Sequence, residues 1–159
     1  MRVFLTAVCL LLAAPGVAAA ESPWQPFRAA PFDLPAGSRC AFELRGDPIR
    51  DKERIRTTET GRQEVRGLLV VRYTNVATGG STVRNLTGDA LIDTRPDGSI
   101  ARIELLHGHL AVGLGATDPG GPAFLVLSGR GFAVDFAPDG TRTVTYGRGT
   151  VEDVCSTLA

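Results

Sequence analysis

The sequence predicts an all-β protein: an antiparallel meander of eight to ten short strands that closes into an up-and-down, lipocalin-like barrel or, as the alternative, folds into a β-sandwich. Three observations point there. Apolar side chains recur at every second position in one segment after another, which is the period of a half-buried strand. Two triplets, Pro96-Asp97-Gly98 and Pro138-Asp139-Gly140, each separate two such segments. Proline presets its own φ and glycine takes a positive one, so both triplets read as tight hairpins. Helical period is confined to the residues after Gly149.

Export is written into the first residues of the chain. Arg2 gives a short positive start, Val3 to Ala14 is an apolar run, and Pro15-Gly16 ends it before the small residues Ala18-Ala19-Ala20. This is signal-peptide grammar over residues 1–20, with cleavage expected after Ala20 and a secreted product of about 139 residues. A membrane-spanning helix needs roughly 20 consecutive apolar residues, more than this run offers, so the cleaved product is not expected to span a membrane. An uncleaved anchor and acylation of Cys9 are the alternatives. Val8 is larger than a lipoprotein cleavage site normally accepts before its cysteine, and Cys9 comes early in the run.

Cleavage removes Arg2 and Cys9 and no acid, leaving 16 basic against 17 acidic side chains. Such a chain has no basic stripe to displace counterions from phosphates, which argues against nucleic acid as a partner. It also leaves two cysteines, Cys40 and Cys155, which in an oxidising compartment are expected to bond to each other. No C-x-x-C spacing marks them as a redox-active pair.

Residues 21–38 contain Pro23, Pro26, Pro31 and Pro35, too many prolines for a helix or the interior of a sheet. They predict an extended arm whose Trp24, Phe27 and Phe32 dock on a single β domain spanning residues 39–159. The first strand of that domain places Cys40, Phe42 and Leu44 opposite Arg39, Glu43 and Arg45. Strand-forming composition returns over residues 51–59. Residues 66–74 set Leu69, Val71 and Tyr73 against Leu68, Val70 and Arg72, apolar on both faces and therefore central. Residues 81–87 and 89–94 continue the series, and residues 99–106 set Ala101, Ile103 and Leu105 against Arg102 and Glu104. Leu110, Val112 and Leu114 share a face in 109–114; residues 123–128 fit a strand, and Phe132, Val134 and Phe136 share a face in 132–136. Residues 141–147 alternate threonine with Arg142, Val144 and Tyr146, the texture of an outer strand.

The turns carry an internal echo. Leu86-Thr87-Gly88 stands seven residues before the first Pro-Asp-Gly and Leu127-Ser128-Gly129 eight before the second, so one unit holds an extra residue in a bulge or a longer turn. Gly113 to Pro122, with four glycines and two prolines, is the longest expected loop. At the end of the chain Thr150 is the expected cap of a helical turn beginning at Val151, with Asp153 completing an approximate capping box and Val151, Val154, Cys155 and Leu158 on one face. Closure into a barrel is preferred over a sandwich because it removes exposed edges.

The run Cys40-Ala41-Phe42, Tyr73-Thr74-Asn75 with Gly79-Gly80, Asn85-Leu86-Thr87-Gly88, Asp97-Gly98-Ser99, Leu127-Ser128-Gly129 and the ending Asp153-Val154-Cys155-Ser156-Thr157-Leu158 resembles a family of uncharacterised small secreted proteins of actinobacteria. Nearly all of the chain after residue 20 takes part. The resemblance implies export, paired cysteines and a β-rich fold, and it brings no activity; Ala41 stands where glycine is common in that family.

No catalytic, cofactor or metal site is assigned. His107-Gly108-His109 is the nearest approach, since side chains two apart on a strand share a face, with Asp89, Asp93 or Glu104 needed as a third ligand. Glycine between the histidines reads better as a solvated hairpin tip. Ser128 lacks the G-x-S-x-G elbow of a hydrolase nucleophile, and the acid pairs Asp89 with Asp93 and Glu152 with Asp153 read as solvated strand faces. Asn85-Leu86-Thr87 fits a glycosylation acceptor but reads as strand edge. The expected function is a non-enzymatic extracellular binding module for a small apolar ligand or a cell-envelope component. An extracellular hydrolase or isomerase at the barrel mouth, and a structural or inhibitory envelope protein, are the alternatives.

Overall fold

The computed structural model describes residues 21–159; the signal peptide expected over residues 1–20, with Cys9, lies outside the described residues. Eleven strands and one short helix follow in order: β1 (Gln25–Pro26), β2 (Phe32–Leu34), β3 (Leu44–Thr57), β4 (Gln63–Asn75), β5 (Ser81–Asn85), β6 (Gly88–Thr94), β7 (Ile100–Leu114), β8 (Ala123–Arg130), β9 (Phe132–Phe136), β10 (Arg142–Thr145), β11 (Arg148–Asp153) and α1 (Val154–Leu158). All described pairings are antiparallel within one sheet. The Pro-Asp-Gly hairpins join β6 to β7 and β9 to β10. In each, an aspartate carboxylate accepts the N–H two residues on, Ser99 in one and Thr141 in the other, both at 2.9 Å.

Two strands are shared between partners. One edge of β4 holds β3, while the other holds β6 along Gln63–Gly67 and β5 along Val70–Thr74. Strand β7 holds β6 only as far as Gly108, and beyond that point its pairing is with β8. The sheet is therefore continuous on one side of this level and forked on the other. One leaf is β2–β3–β4–β5 and the second is the C-terminal half of β7 with β8 and β11.

A row of glycines marks the fork. Gly67, Gly88, Gly108, Gly129 and Gly149 are successive register partners across β4, β6, β7, β8 and β11. Gly129 and Gly149 both have φ near the mirror image of an extended strand, 141° and 150°, where a side chain is strained. A Cβ on Gly129 would also run into the Arg148 carbonyl, and one on Gly149 into the Ser128 carbonyl. Across this level the inward-facing alternation changes phase. Leu105 and Val112 in β7, like Leu127 and Phe132 along β8 and β9, are an odd number of residues apart, yet each pair shares one core.

There are two such cores. The first lies between the leaves, where Leu44, Val71 and Tyr73 meet Phe124 and Val126 beneath Val154 and Leu158 of α1. Phe32 from the arm joins Tyr73 and Phe124 in an aromatic cluster with ring centroids 5.1–6.4 Å apart. The second sits in the elbow of β7 and β8–β9, with Leu105, Phe132 and Val134 on one arm and Val112, Leu114, Leu125 and Leu127 on the other. Strand β8 is consequently buried on both faces, Phe124 and Val126 toward the first core and Leu125 and Leu127 toward the second.

Several expectations need correction. Among the described residues no ladder joins β11 to β1, β2 or β3, so the sheet is not closed into a barrel. Side chains tie the two leaves instead. The Arg84 guanidinium on β5 grips both oxygens of Glu152 on β11 at 2.7 and 2.5 Å. Asn75 Nδ2 donates to the Leu158 carbonyl at 2.9 Å, and Cys40 is disulfide-bonded to Cys155 with Cα atoms 5.2 Å apart. Eleven strands replace eight to ten, because β1 and β2 of the arm pair with the edge of β3, where proline is tolerated. Strand β3 starts at Leu44 rather than before Cys40. His107-Gly108-His109 lies inside the single long strand β7 and not at a hairpin tip. Thr150 and Val151 belong to β11, so the helix begins three residues later than expected, at Val154. It is capped by Asp153, which accepts the Cys155 N–H at 3.0 Å.

Candidate functional site

The fork encloses a cavity of about 580 Å³. Its walls follow from strand period. Val65, Leu69, Val71 and Tyr73 point inward from one face of β4, and Ala90 and Ile92 continue the surface on β6. Ile103 of β7, register partner of Ile92, extends that surface; Leu110 and Ala111 of β7 and Phe124 of β8 complete the lining, and Phe27 to Ala30 and Phe32 of the arm border it. Pro48 and Glu53 enter from β3. The lining is apolar apart from a handful of groups: Glu53, the Tyr73 hydroxyl, His109, and the guanidiniums of Arg28, Arg39 and Arg142.

Glu53 is the most unusual of these. It is only 9% exposed, and its carboxyl makes no hydrogen bond with the described residues. Its register partner on β4 is Gly67, which presents no side chain over it. Burial, reinforced by the neighbouring Asp51 carboxylate and only partly offset by Arg28, pushes its pKa up to about 7. Asp51 itself is well supplied: it accepts the N–H groups of Ala29 and Glu53 at 2.7 and 3.0 Å and lies 3.7 Å from the Arg28 guanidinium. Burial likewise pushes the Tyr73 hydroxyl well above its ordinary value, so the phenol stays protonated.

The far end is cationic but internally engaged. Arg39 donates to the Ser38 carbonyl at 2.7 Å and Arg142 to the Gly113 carbonyl. Arg142 Nε is buried without a partner among the described residues. Both guanidiniums act on Asp118 in the loop after β7. Burial pushes that carboxyl up, but the N–H groups of Arg142 and Gly115, at 2.7 and 2.6 Å, and the two guanidiniums pull harder and hold it below the usual range. The expected Gly113 to Pro122 loop is thus fastened inward by one aspartate.

The residues weighed from sequence are scattered. His107 is largely exposed beside Asp89, with Nε2 3.1 Å from the carboxylate, whereas His109 faces the cavity. Asp93 and Glu104 are both held by Arg62. Among the described residues no three metal-binding side chains come together. Ser128 does meet a base: its Oγ lies 2.8 Å from His109 Nδ1, a consequence of their being register partners. No carboxylate of the described residues hydrogen-bonds that imidazole to orient it, as a hydrolytic triad requires. Glu152 is committed to Arg84 and Asp153 to the helix cap, and Asn85 accepts the Thr87 N–H at 2.9 Å.

Glu53 and Tyr73 are the functional candidates that the sequence reading passed over. A signal was there: Asp51, Glu53 and Ile55 occupy one face of β3 and Lys52, Arg54 and Arg56 the other, so the acids fall in phase with an apolar residue. The Arg56 and Arg66 guanidiniums each lie over the Trp24 ring, 4.6 and 4.1 Å from its centroid, which pins the arm. Among the described residues no helix is long and apolar enough to cross a membrane. No protein-family model, curated protein or solved structure matches the chain.

Proposed function

We propose that the protein is a secreted, non-enzymatic binding module, released by cleavage after Ala20, that holds one small apolar molecule between the leaves of its forked sheet. The observation that carries this reading is the apolar cavity of about 580 Å³, within the range of roughly 300–1,000 Å³ typical of small-molecule sites. A few inward polar groups on an apolar wall is the composition such sites have. The same arrangement favours an incompletely closed barrel over a plain sandwich: the leaves stay continuous through β6 and the N-terminal half of β7, and the cavity occupies the interior they curl around. The resemblance to small secreted actinobacterial proteins agrees with export.

Native mass spectrometry of the protein recovered from culture medium tests the reading. The expected species is residues 21–159 with one disulfide and a single noncovalent adduct of a few hundred daltons that gentle activation removes. A bare chain that also fails to take up any added apolar molecule would overturn it.

A second reading, an extracellular hydrolase, rests on the Ser128 and His109 contact at 2.8 Å. Its test is labelling by a serine-directed fluorophosphonate. The missing orienting acid predicts no adduct, and a stoichiometric adduct on Ser128 would establish the hydrolase instead.

A further inference from the structure

Taking the cavity as the binding site, we infer that its ligand is an apolar amine, and that Glu53 is the residue that selects it by accepting an ammonium hydrogen bond inside the cavity. Three observations lead there. Glu53 lines an apolar cavity as a residue only 9% exposed, and its carboxyl takes no hydrogen bond from the described residues. Leaving such a group unpaired is costly, and a ligand that brings a donor removes the cost. Gly67, directly across on β4, sets no side chain beside Glu53; a Cβ there would meet the Lys52 carbonyl and the Glu53 Cα. The surrounding charge also favours a cation. Arg28 is occupied by the Phe27 carbonyl at 2.8 Å and by Asp51, so Asp51 and Glu53 together outweigh it by one negative charge.

An acidic ligand is served less well. Arg39 and Arg142, the guanidiniums it would need, are turned to the Ser38 and Gly113 carbonyls and to Asp118.

The charged and titratable groups facing Glu53 are few. Its own strand contributes Asp51 and the arm Arg28, while β4 presents Val65, Gly67 and Leu69 around it. Across the cavity stand His109 on β7, Arg39 and Arg142. Ammonium binding requires Glu53 ionised, so protons compete with the amine. With the carboxyl titrating near 7, amine affinity is expected to fall about tenfold from pH 8 to pH 6.

The test is calorimetric titration with decylamine, decanol and decanoate, which share one apolar chain and differ only in the head. The expected order at pH 8 is decylamine tightest, ahead of decanol by about tenfold or more, with decanoate weakest. Glu53→Gln is expected to bring decylamine down to the level of decanol and to abolish the change between pH 8 and pH 6. Decanoate binding as tightly as decylamine, or an amine preference that survives Glu53→Gln, would overturn the assignment while leaving the cavity a binding site. Failure of all three to bind would instead bring down the cavity reading on which it rests.

Discussion

One carboxyl makes this fold less stable as the pH rises. Glu53 titrates at about 7 when folded and near the ordinary carboxyl value of 4.5 when unfolded, because burial penalises its charge. The folded chain keeps a proton that the unfolded chain has already released. Stability from this group is therefore complete below about pH 4.5 and lost as pH rises to 7 and beyond. Glu53→Gln keeps the shape and removes the charge. Urea unfolding is expected to find the variant more stable than the parent at pH 8, by at most about 3 kcal/mol, with the gap closing at pH 4. A gap of the same size at both pH values would mean that packing, and not ionisation, separates them. Single residues were the scale least legible in the sequence. His107 and His109 look like a pair because two-residue spacing puts side chains on one face of a regular strand. Gly108 between them, with φ of 99°, breaks that regularity and leaves one imidazole outside and one within.

Strands, by contrast, follow the alternation of side chains closely. Residues 66–74 and 132–136 fall inside β4 and β9, and both Pro-Asp-Gly turns lie where their residue types place them. The extra residue of the second half-repeat is in neither turn, since both close with the same bond pattern, Arg95 to Ser99 and Ala137 to Thr141. It is taken up as a register shift between Asp89 and Ala90, which leaves Leu106 as the surplus residue of β7 relative to β6. Strand β8 shows the opposite limit: Ala123 to Leu127 is an unbroken apolar run, whose burial on both faces depends on a second layer that local period does not reveal. The glycine row was invisible for the same reason, being a property of five strands in register. Gly129→Ala would put a Cβ against the Arg148 carbonyl at a φ of 141°, and thermal or urea unfolding is expected to register a loss of about 3 kcal/mol or more. Gly80→Ala, at an ordinary φ and near only the flexible Thr78 hydroxyl, should stay within about 0.5 kcal/mol. Equal effects at the two sites would remove the row's structural importance.

Across the whole molecule the leaves are held at their open side by side chains rather than by a ladder. The disulfide is the strongest of these ties. Cys40 and Cys155 are 115 residues apart, and opening a loop of that size restores chain entropy to the unfolded state worth about 5 kcal/mol. Reduction, or Cys155→Ala, is expected to lower the unfolding free energy by that order in a urea titration; a change below about 1 kcal/mol would assign closure to the Arg84–Glu152 and Asn75–Leu158 contacts instead. Which edges meet, and whether they meet by hydrogen bonds, is decided by long-range pairing, so closure could not be read from local pattern, although the cysteine pair correctly announced that the two ends of the domain touch.

The proposed binding role rests on the open interior, and one titration addresses it directly. Ala90 points into the cavity from β6 opposite Val65, so Ala90→Phe would fill space without touching either leaf's ties. An environment-sensitive apolar dye is expected to bind the parent protein at one molecule per chain and to bind Ala90→Phe about tenfold or more weakly, with the far-ultraviolet circular dichroism of the two unchanged. Dye uptake that never saturates, or that is indifferent to the substitution, would contradict a ligand cavity in the fork.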